Sequence, residues 1–318
     1  MFKWLAACLL LSLSPPLSAA PGGVVDEPVF EFLQVDSTRF ELQFASGFDA
    51  PARLEAAEWI ARSARVVSQY LGRYPVDAVT ILMVPADGDD VASGTTFNDG
   101  ELRIRVRVGR KVTRDRYLAD WIMVHEMIHL AIPEVPRNQN WFHEGAATYV
   151  EIIARAQAGL SGERGGWAEL HRNAHQGLPQ PGDRGLDRTP TWGRTYWGGA
   201  LFCLLADIEL RKRSDNRIGL PDALRGLVAG GGNYAASWPL QRILDTADAA
   251  TGYTVLNDLH RQMKHRALPT AADLEQLWRD LGVSQSNGVM RWNDAAPLAA
   301  IRRAIVAARA SATIASRD

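Results

Sequence analysis

The sequence predicts an α+β fold in which a small sheet is followed by a larger helical part. Residues 40–44 and 102–108 alternate apolar with polar side chains, which is typical of strands that bury one face. Residues 79–84 form an apolar run that ends at Pro85, as expected of a buried strand. From about residue 113 the spacing of apolar residues becomes helical, so we expect mainly helices after that point.

These patterns divide the chain into three parts that follow an N-terminal segment. Residues 21–112 are interpreted as an N-terminal α/β subdomain with one long helix over residues 51–72. Residues 113–194 are expected to form two helices and a long Gly/Pro-rich loop over residues 159–194, and residues 195–318 a helical C-terminal subdomain. The helices of the last two parts are expected near residues 113–132, 141–158, 195–214, 219–229, 238–249, 252–265, 272–281 and 295–311.

The first twenty residues have the pattern of an export signal. Lys3 supplies a positive charge, residues 4–13 are almost wholly apolar, and cleavage is expected after Ala20, so the signal peptide spans residues 1–20. The apolar run is shorter than the roughly 20 residues that a membrane span needs, and no stable anchor is expected after its removal. We therefore predict an exported protein, periplasmic or secreted in a bacterium.

Charge and cysteine content exclude two further classes. The formal net charge is −1 with both signs interspersed, so nothing indicates a nucleic acid partner. Once residues 1–20 are removed, Cys203 is the one cysteine left, and an intramolecular disulfide is not expected. Because Cys203 lies in the apolar run of residues 200–205, we interpret it as a core residue.

The stretch His125-Glu126-Met127-Ile128-His129 carries the clearest chemical signal in the chain. Residues four apart lie on one face of a helix, so both imidazoles can bind one ion. Neutral imidazole is a preferred ligand of Zn²⁺, and an adjacent carboxylate can accept the proton of a water molecule. His125 and His129 are therefore predicted zinc ligands, and Glu126 the general base. The alternative is a surface or core pair of histidines with an incidental glutamate.

A third ligand is predicted within residues 141–151. If this segment is a helix antiparallel to the first, Glu144 and Glu151 share the face toward the metal. Glu144 is then the predicted ligand, and Gly145 allows the two helices to approach closely. Glu151, two turns further on, is expected to orient a ligand histidine without touching the metal. Two alternatives remain: both glutamates are solvated acids, or His143 is the ligand because the helix is rotated by roughly 100°.

Two more segments extend the pattern, namely Trp-Phe-His-Glu-Gly-Ala at residues 141–146 and Tyr-Trp-Gly-Gly-Ala-Leu at residues 196–201. With His-Glu-x-x-His they resemble the gluzincin zinc peptidases, in particular the aminopeptidase N-like and glycyl aminopeptidase-like families. The resemblance covers roughly residues 75–285 and implies a thermolysin-like zincin fold with one zinc ion. It also implies that Tyr196 donates a hydrogen bond to the oxyanion formed during hydrolysis. Otherwise Tyr196 anchors the start of a buried helix.

The chain departs from the aminopeptidase N-like pattern in two places. The connection between His129 and Glu144 is shorter than in that family. Residues 94–99, Gly-Thr-Thr-Phe-Asn-Asp, stand where the family has a Gly-Ala-Met-Glu-Asn strand that captures the amino terminus of the substrate. The resemblance therefore implies hydrolysis but does not extend to aminopeptidase specificity.

The predicted function is zinc-dependent hydrolysis of peptide or protein substrates. Two alternatives stay open: a catalytically inactive gluzincin-like protein that binds peptides or cell-wall components, and a metallohydrolase of non-peptide substrates. Arg194, just before Tyr196, is interpreted as a solvated charge rather than as a group that binds a substrate carboxylate.

Overall fold

A computed structural model describes residues 28–307. The predicted signal peptide and the last residues of the helix expected near 295–311 lie outside this range. Within it the fold is α+β, as predicted, with a five-stranded mixed sheet, a two-stranded hairpin and eleven α-helices. Between residues 28 and 307, none of the helices combines the length and apolar character that a membrane crossing needs.

The main sheet is mixed in direction. Its strands are β1 (Val29–Val35), β2 (Thr38–Phe44), β3 (Ala78–Ala86), β4 (Val91–Asn98) and β5 (Leu102–Gly109). They lie in the order β1-β2-β3-β5-β4, with β2, β3 and β5 parallel and the two edge strands antiparallel to their neighbours. The side chains of β5 alternate between a buried and an exposed face of the sheet. Ile104 and Val106 are fully buried, whereas Arg105 and Arg107 are exposed.

The sequence does not predict β4, because Ser93, Gly94 and the flanking aspartates and glycines indicate a polar loop. The segment is a strand because its backbone pairs along β5 from Val91 to Asn98. This pairing between neighbouring segments outweighs the weak strand propensity of the residues. It also places β4 at the sheet edge that faces the candidate site.

Helices cover the buried face of the sheet and form the rest of the molecule. They are α1 (Ala50–Leu71), α2 (Arg114–Ala119), α3 (Ile122–His129), α4 (Asn140–Gln157), α5 (Gly162–Asn173), α6 (Gly199–Ser214), α7 (Leu220–Ala229), α8 (Leu240–Thr251), α9 (Val255–Met263), α10 (Ala271–Leu281) and α11 (Ala299–Val306). A hairpin of β6 (Val283–Ser286) and β7 (Val289–Trp292) interrupts the helical region. Helices α1, α3 and α4 pack against one another beneath the sheet.

The single helix expected over residues 113–132 is two helices. Asp120 is extended (ψ 142°) between α2 and α3, and its carboxylate accepts the backbone N–H groups of Ile122 and Met123. These are N–H groups that the first turn of α3 leaves without a partner inside the helix. The cap therefore begins a new helix, α3, shortly before His125, Glu126 and His129.

The expectation of one long loop over residues 159–194 is wrong. The segment contains α5 and two short 3-10 turns. Trp167 and Leu170 are buried, and a Cβ on Gly166 would lie 2.9 Å from the Cβ of Ala156 in α4. Glycine here permits close packing of two helices rather than a mobile connection. Cys203 is 1% exposed in α6, which confirms its interpretation as a core residue.

Candidate metal centre

Helix α3 carries three buried polar side chains while its other sides hold it in place. Four apolar residues of α3 are at most 1% exposed: Met123, Val124, Met127 and Ile128. His125, Glu126 and His129 are also buried, each at most 8% exposed. Because the surrounding core fixes the helix, these three groups have little freedom to move. Burial of three polar groups needs partners, and α4 supplies one.

Glu144 of α4 meets both histidines of α3. Its Oε2 atom lies 3.3 Å from His125 Nε2 and 3.5 Å from His129 Nε2. The ligand-type atoms of the three residues lie within 4.8 Å of one another, and within residues 28–307 no other His, Cys, Asp or Glu side chains form such a group. The structure therefore brings together the three residues that the sequence predicts as zinc ligands.

The donor set fits a zinc ion. A tetrahedral zinc ion with bonds of about 2.1 Å holds its ligand atoms about 3.4 Å apart, which matches the two nitrogen–oxygen separations. Two imidazoles and one carboxylate are also the set found in catalytic zinc sites that keep a fourth position open. Both Nδ1 atoms are buried without a hydrogen-bond partner in the described part of the chain.

The charges of the three groups support one another. Burial alone would lower the pKa of His125, but its hydrogen bond with Glu144 and the charge of Glu126 outweigh burial and raise it. Burial would raise the pKa of Glu144, but the neighbouring His129 and His125 hold it far below its usual range. Glu144 is therefore ionised at neutral pH, which metal binding by a carboxylate requires.

Glu126 is held from the side of the sheet. Thr96 of β4 donates its hydroxyl toward the Glu126 carboxylate at 2.7 Å and toward the Glu126 backbone oxygen at 2.8 Å. A Cβ on Gly94 would lie 2.5 Å from the Cγ of Glu126, so only glycine allows β4 to approach this closely. Neither contact is predicted from the sequence, because both depend on β4 reaching α3.

His143 is not part of the ligand group. Its ring stacks on the ring of His129 at 4.3 Å with an interplanar angle of 4°, and the ring of Tyr234 lies 5.2 Å away. Burial and the neighbouring charge of His129 hold the pKa of His143 well below its ordinary value. The rotation of α4 that would exchange His143 for Glu144 is therefore not observed.

Glu151 lies on the expected face of α4 but pairs differently from the expectation. Its Oε2 atom accepts a hydrogen bond from Arg155 Nη1 at 3.0 Å, and in the described chain no hydrogen bond joins it to His125 or His129. Burial and the negative charge of Glu169 raise the pKa of Glu151 to about 8, although Arg155 opposes the shift. The expected contact between Glu151 and a ligand histidine is therefore not observed.

Tyr196 lies opposite α3, on a π-turn over Arg194–Gly198 that precedes α6. Its ring faces His125 at 6.4 Å between centroids, and burial together with the charges of Glu144 and Glu126 raises the pKa of its phenol. The hydroxyl is therefore protonated at neutral pH and available as a donor. π-turns of this kind occur often at functional sites.

Two glycines let α6 approach α4 behind Tyr196. A Cβ on Gly145 would lie 2.2 Å from Gly199 Cα, and a Cβ on Gly199 would lie 2.0 Å from the carbonyl oxygen of Trp141. The sequence predicts that Gly145 brings α4 close to α3, and instead it brings α4 close to α6. The correction follows from the helix period, since the residue after Glu144 points about 100° away from the direction of Glu144, which faces the two histidines.

Arg194 is 2% exposed, so its interpretation as a solvated charge is wrong. It donates to the carbonyl oxygens of Gly177 (2.7 Å) and Leu268 (3.0 Å) and pairs with Asp183 at 2.9 Å. Arg194 therefore fixes the π-turn that carries Tyr196. The sequence gives no signal for this role, because a buried arginine and an arginine on a surface loop cannot be told apart from the residue type alone.

Comparison with known proteins identifies the fold. No protein-family model matches the chain, and no curated protein sequence matches it either. Among solved structures it resembles an aminopeptidase N family protein from Idiomarina loihiensis, with a TM-score of 0.59 and 16% identity over 80% of this chain and 49% of that one. It also resembles an M1 zinc metallopeptidase from Deinococcus radiodurans, with a TM-score of 0.51 and 17% identity over 76% of this chain and 52% of that one.

The described chain thus has the fold of M1 zinc metallopeptidases, and the gluzincin, aminopeptidase N-like resemblance of its motifs is confirmed at that level. A mutant of the Deinococcus radiodurans enzyme bound to a Tyr-Ser-Ala substrate matches with a TM-score of 0.50 and 17% identity, over 76% of this chain and 53% of that one. The chain spans about half the length of these structures.

Proposed function

We propose that the protein is a zinc-dependent peptidase of the thermolysin-like zincin type, which hydrolyses peptide bonds in peptide or protein substrates. The observation that carries the proposal is the convergence of His125, His129 and Glu144 beside the buried carboxylate of Glu126. Four such groups would be costly to bury together without a function for them. The M1-like fold and the peptide-bound neighbour support the same assignment.

The chain's own residues supply the remaining parts of a hydrolytic site. His125, His129 and Glu144 would hold one zinc ion, which when bound supplies Lewis acidity toward a peptide carbonyl and toward water. Glu126, positioned by Thr96, would accept a proton from the attacking water and deliver it to the leaving amine. Tyr196 would donate its hydroxyl proton in a hydrogen bond to the carbonyl oxygen as negative charge develops there.

Substrate recognition at an amino terminus is not part of the proposal. β4 carries no carboxylate, and Thr96 faces Glu126 from it. We also propose export through residues 1–20. N-terminal sequencing of the protein from the native host would test the cleavage after Ala20.

The proposal is tested with the purified protein and its Glu126→Gln variant. We expect about one zinc ion per chain in both, because the substitution leaves the three ligands in place. The rate of cleavage of an unbiased peptide library should fall by about 10²-fold to 10⁴-fold in the variant, as is typical when a general base is removed. Unchanged peptide cleavage by Glu126→Gln would overturn the mechanism.

The two alternatives give different results in the same experiment. A binding protein without activity would hold zinc or peptides and cleave none of the library. A hydrolase of non-peptide substrates would leave the peptides intact but act on esters or amidated sugars. In both cases the peptidase assignment is rejected, and the zinc content of the purified protein decides whether the metal centre stands.

A further inference from the structure

A cleft of about 410 Å³ opens beside the metal centre, on the side of His125 and Tyr196. The start of α3 and the middle of α4 form one wall, and α5 and the segment before Tyr196 form the other. Its volume is in the usual range of about 300–1,000 Å³ for sites that bind small ligands. Because it begins at a predicted zinc ligand, a group bound in it lies next to the reacting bond.

Aromatic rings line this cleft from its mouth to the metal ligand. Trp192 stacks on Tyr196 with ring centroids 5.6 Å apart and an interplanar angle of 28°. Tyr196 in turn faces His125, and Trp121 meets His125 edge-on at 5.6 Å. Trp192 is 51% exposed, so half of a large apolar ring remains free for contact at the mouth. Apolar surface in a cleft beside a catalytic centre indicates a ligand-binding role.

The charged groups of the cleft are already paired with one another. Arg155 Nη1 lies 3.0 Å from Glu151 Oε2 and 3.7 Å from Glu169 Oε2, so one buried guanidinium serves both carboxylates. Arg172, exposed at the rim, adds a second positive charge near Glu169. Neither carboxylate is a free partner for a lysine or arginine of a substrate. The cleft therefore favours an uncharged side chain.

We propose that this cleft is a specificity pocket for an aromatic side chain of the substrate, carried by one of the two residues that flank the scissile bond, with Trp192 and Trp121 as specificity-determining residues. The inference rests on the proposed peptidase function. A phenylalanine, tyrosine or tryptophan ring would be removed from water between the rings of the pocket and would gain stacking contacts with them. Alanine in the same place would leave most of the cleft filled by water.

The test uses internally quenched peptides that differ only in the residues next to the cleaved bond. We expect kcat/KM for phenylalanine to exceed that for alanine by about 10-fold to 100-fold on one side of the bond, the range for burying a large apolar side chain. Trp192→Ala should reduce this ratio by about 3-fold to 10-fold, the size of one aromatic contact. Phe32→Ala, a similarly exposed aromatic on the outer face of β1, should leave the ratio unchanged.

A second measurement does not need turnover. The tripeptide Ac-Ala-Phe-Ala-NH₂ should bind the Glu126→Gln protein more tightly than Ac-Ala-Ala-Ala-NH₂ by isothermal titration calorimetry. The same preference should shrink in the Glu126→Gln protein that also carries Trp192→Ala. Because binding is measured directly, this result reports on the pocket even if no peptide is cleaved.

The outcomes separate the pocket from the activity. Peptide cleavage with equal rates for phenylalanine and alanine overturns the pocket and leaves the peptidase assignment intact. A preference for lysine or arginine also overturns it and assigns the cleft to its carboxylates instead. Selective binding of the phenylalanine tripeptide without any cleavage supports the pocket and rejects the peptidase assignment. The absence of both cleavage and selective binding rejects both.

Discussion

Two histidine–carboxylate clusters lie close together in this molecule, and they differ in what completes them. In the candidate metal centre, His125, His129 and Glu144 meet, and two imidazole Nδ1 atoms are left without hydrogen-bond partners in the described chain. In the second cluster, Asp187 accepts from Trp141 Nε1 at 2.8 Å and lies 3.1 Å from His260 Nε2.

The third member of each cluster decides its chemistry. An indole N–H can only donate, so Trp141 satisfies Asp187 and offers no lone pair to a metal ion. A second imidazole can offer a lone pair, so His129 would turn a similar pair of residues into the proposed metal site. The Asp187 cluster instead ties the 3-10 turn Leu186–Arg188 to α4 and α9. The comparison shows that a histidine beside a carboxylate is by itself a poor indicator of metal binding.

Exchanging one carboxylate for an amide in each cluster gives the largest expected contrast. Glu144→Gln should lose bound zinc during dialysis, with an affinity loss beyond the roughly 10-fold to 100-fold typical of groups that only support a ligand. Asp187→Asn should keep its zinc, because Asp187 is not one of the three proposed ligands. Metal content by mass spectrometry measures both. Zinc retained in Glu144→Gln at the wild-type affinity would contradict the assignment of the third ligand.

Removal of the Tyr196 hydroxyl should have the next largest effect. Tyr196→Phe is expected to lower kcat by about 10²-fold to 10³-fold with little change in zinc content, the usual cost of removing one oxyanion donor. Tyr253→Phe is the control, since that hydroxyl donates to the backbone oxygen of Arg213 away from the site. If both variants keep wild-type kcat, Tyr196 only anchors the start of α6.

The contact between β4 and Glu126, the proposed general base, predicts a smaller effect. Thr96→Val removes the hydroxyl that meets the Glu126 carboxylate, and we expect kcat to fall by up to about 10-fold, the value of one hydrogen bond. Thr95→Val is matched in chemistry but lies on the exposed side of β4. Steady-state kinetics should show a loss for the first variant only; equal rates would mean that Glu126 is positioned by its helix alone.

The stabilisation that ionised Asp187 gives the folded state should decrease at acid pH. Burial alone would raise the pKa of Asp187, but the hydrogen bonds from His260 and Trp141 outweigh burial and lower it below its ordinary 3.8. The folded state therefore favours the ionised form, and the stabilisation is complete above pH 3.8 and lost as pH falls through the lowered value. At pH 7, Asp187→Asn should unfold with a free energy lower by about 1–3 kcal/mol.

Urea unfolding of both proteins at several pH values measures this difference. The gap between wild type and Asp187→Asn should narrow as the pH falls below about 4, where the carboxyl of the unfolded chain becomes protonated. A gap that stays constant down to about pH 2 would show that the charge of Asp187 contributes nothing. Because the effect is on stability, it should leave zinc content at neutral pH untouched.

The parts of the site that the sequence predicts are those set by local geometry. His125 and His129 share a face because residues four apart on any α-helix do so, and Glu144 follows once a second helix is assumed. The alternating residues of β2 and β5 predict two strands for the same reason. Such patterns need no knowledge of distant contacts.

Only the tertiary structure decided which side of each helix met which neighbour. It put Thr96 against Glu126, paired Glu151 with Arg155, buried Arg194 and turned Gly145 toward α6. Each of these contacts joins a side chain to a segment whose position depends on the packing of the whole core. Sequence spacing fixes the angle between two residues on one helix, whereas the rotation of that helix against the sheet and against α6 is fixed by close packing of many side chains at once.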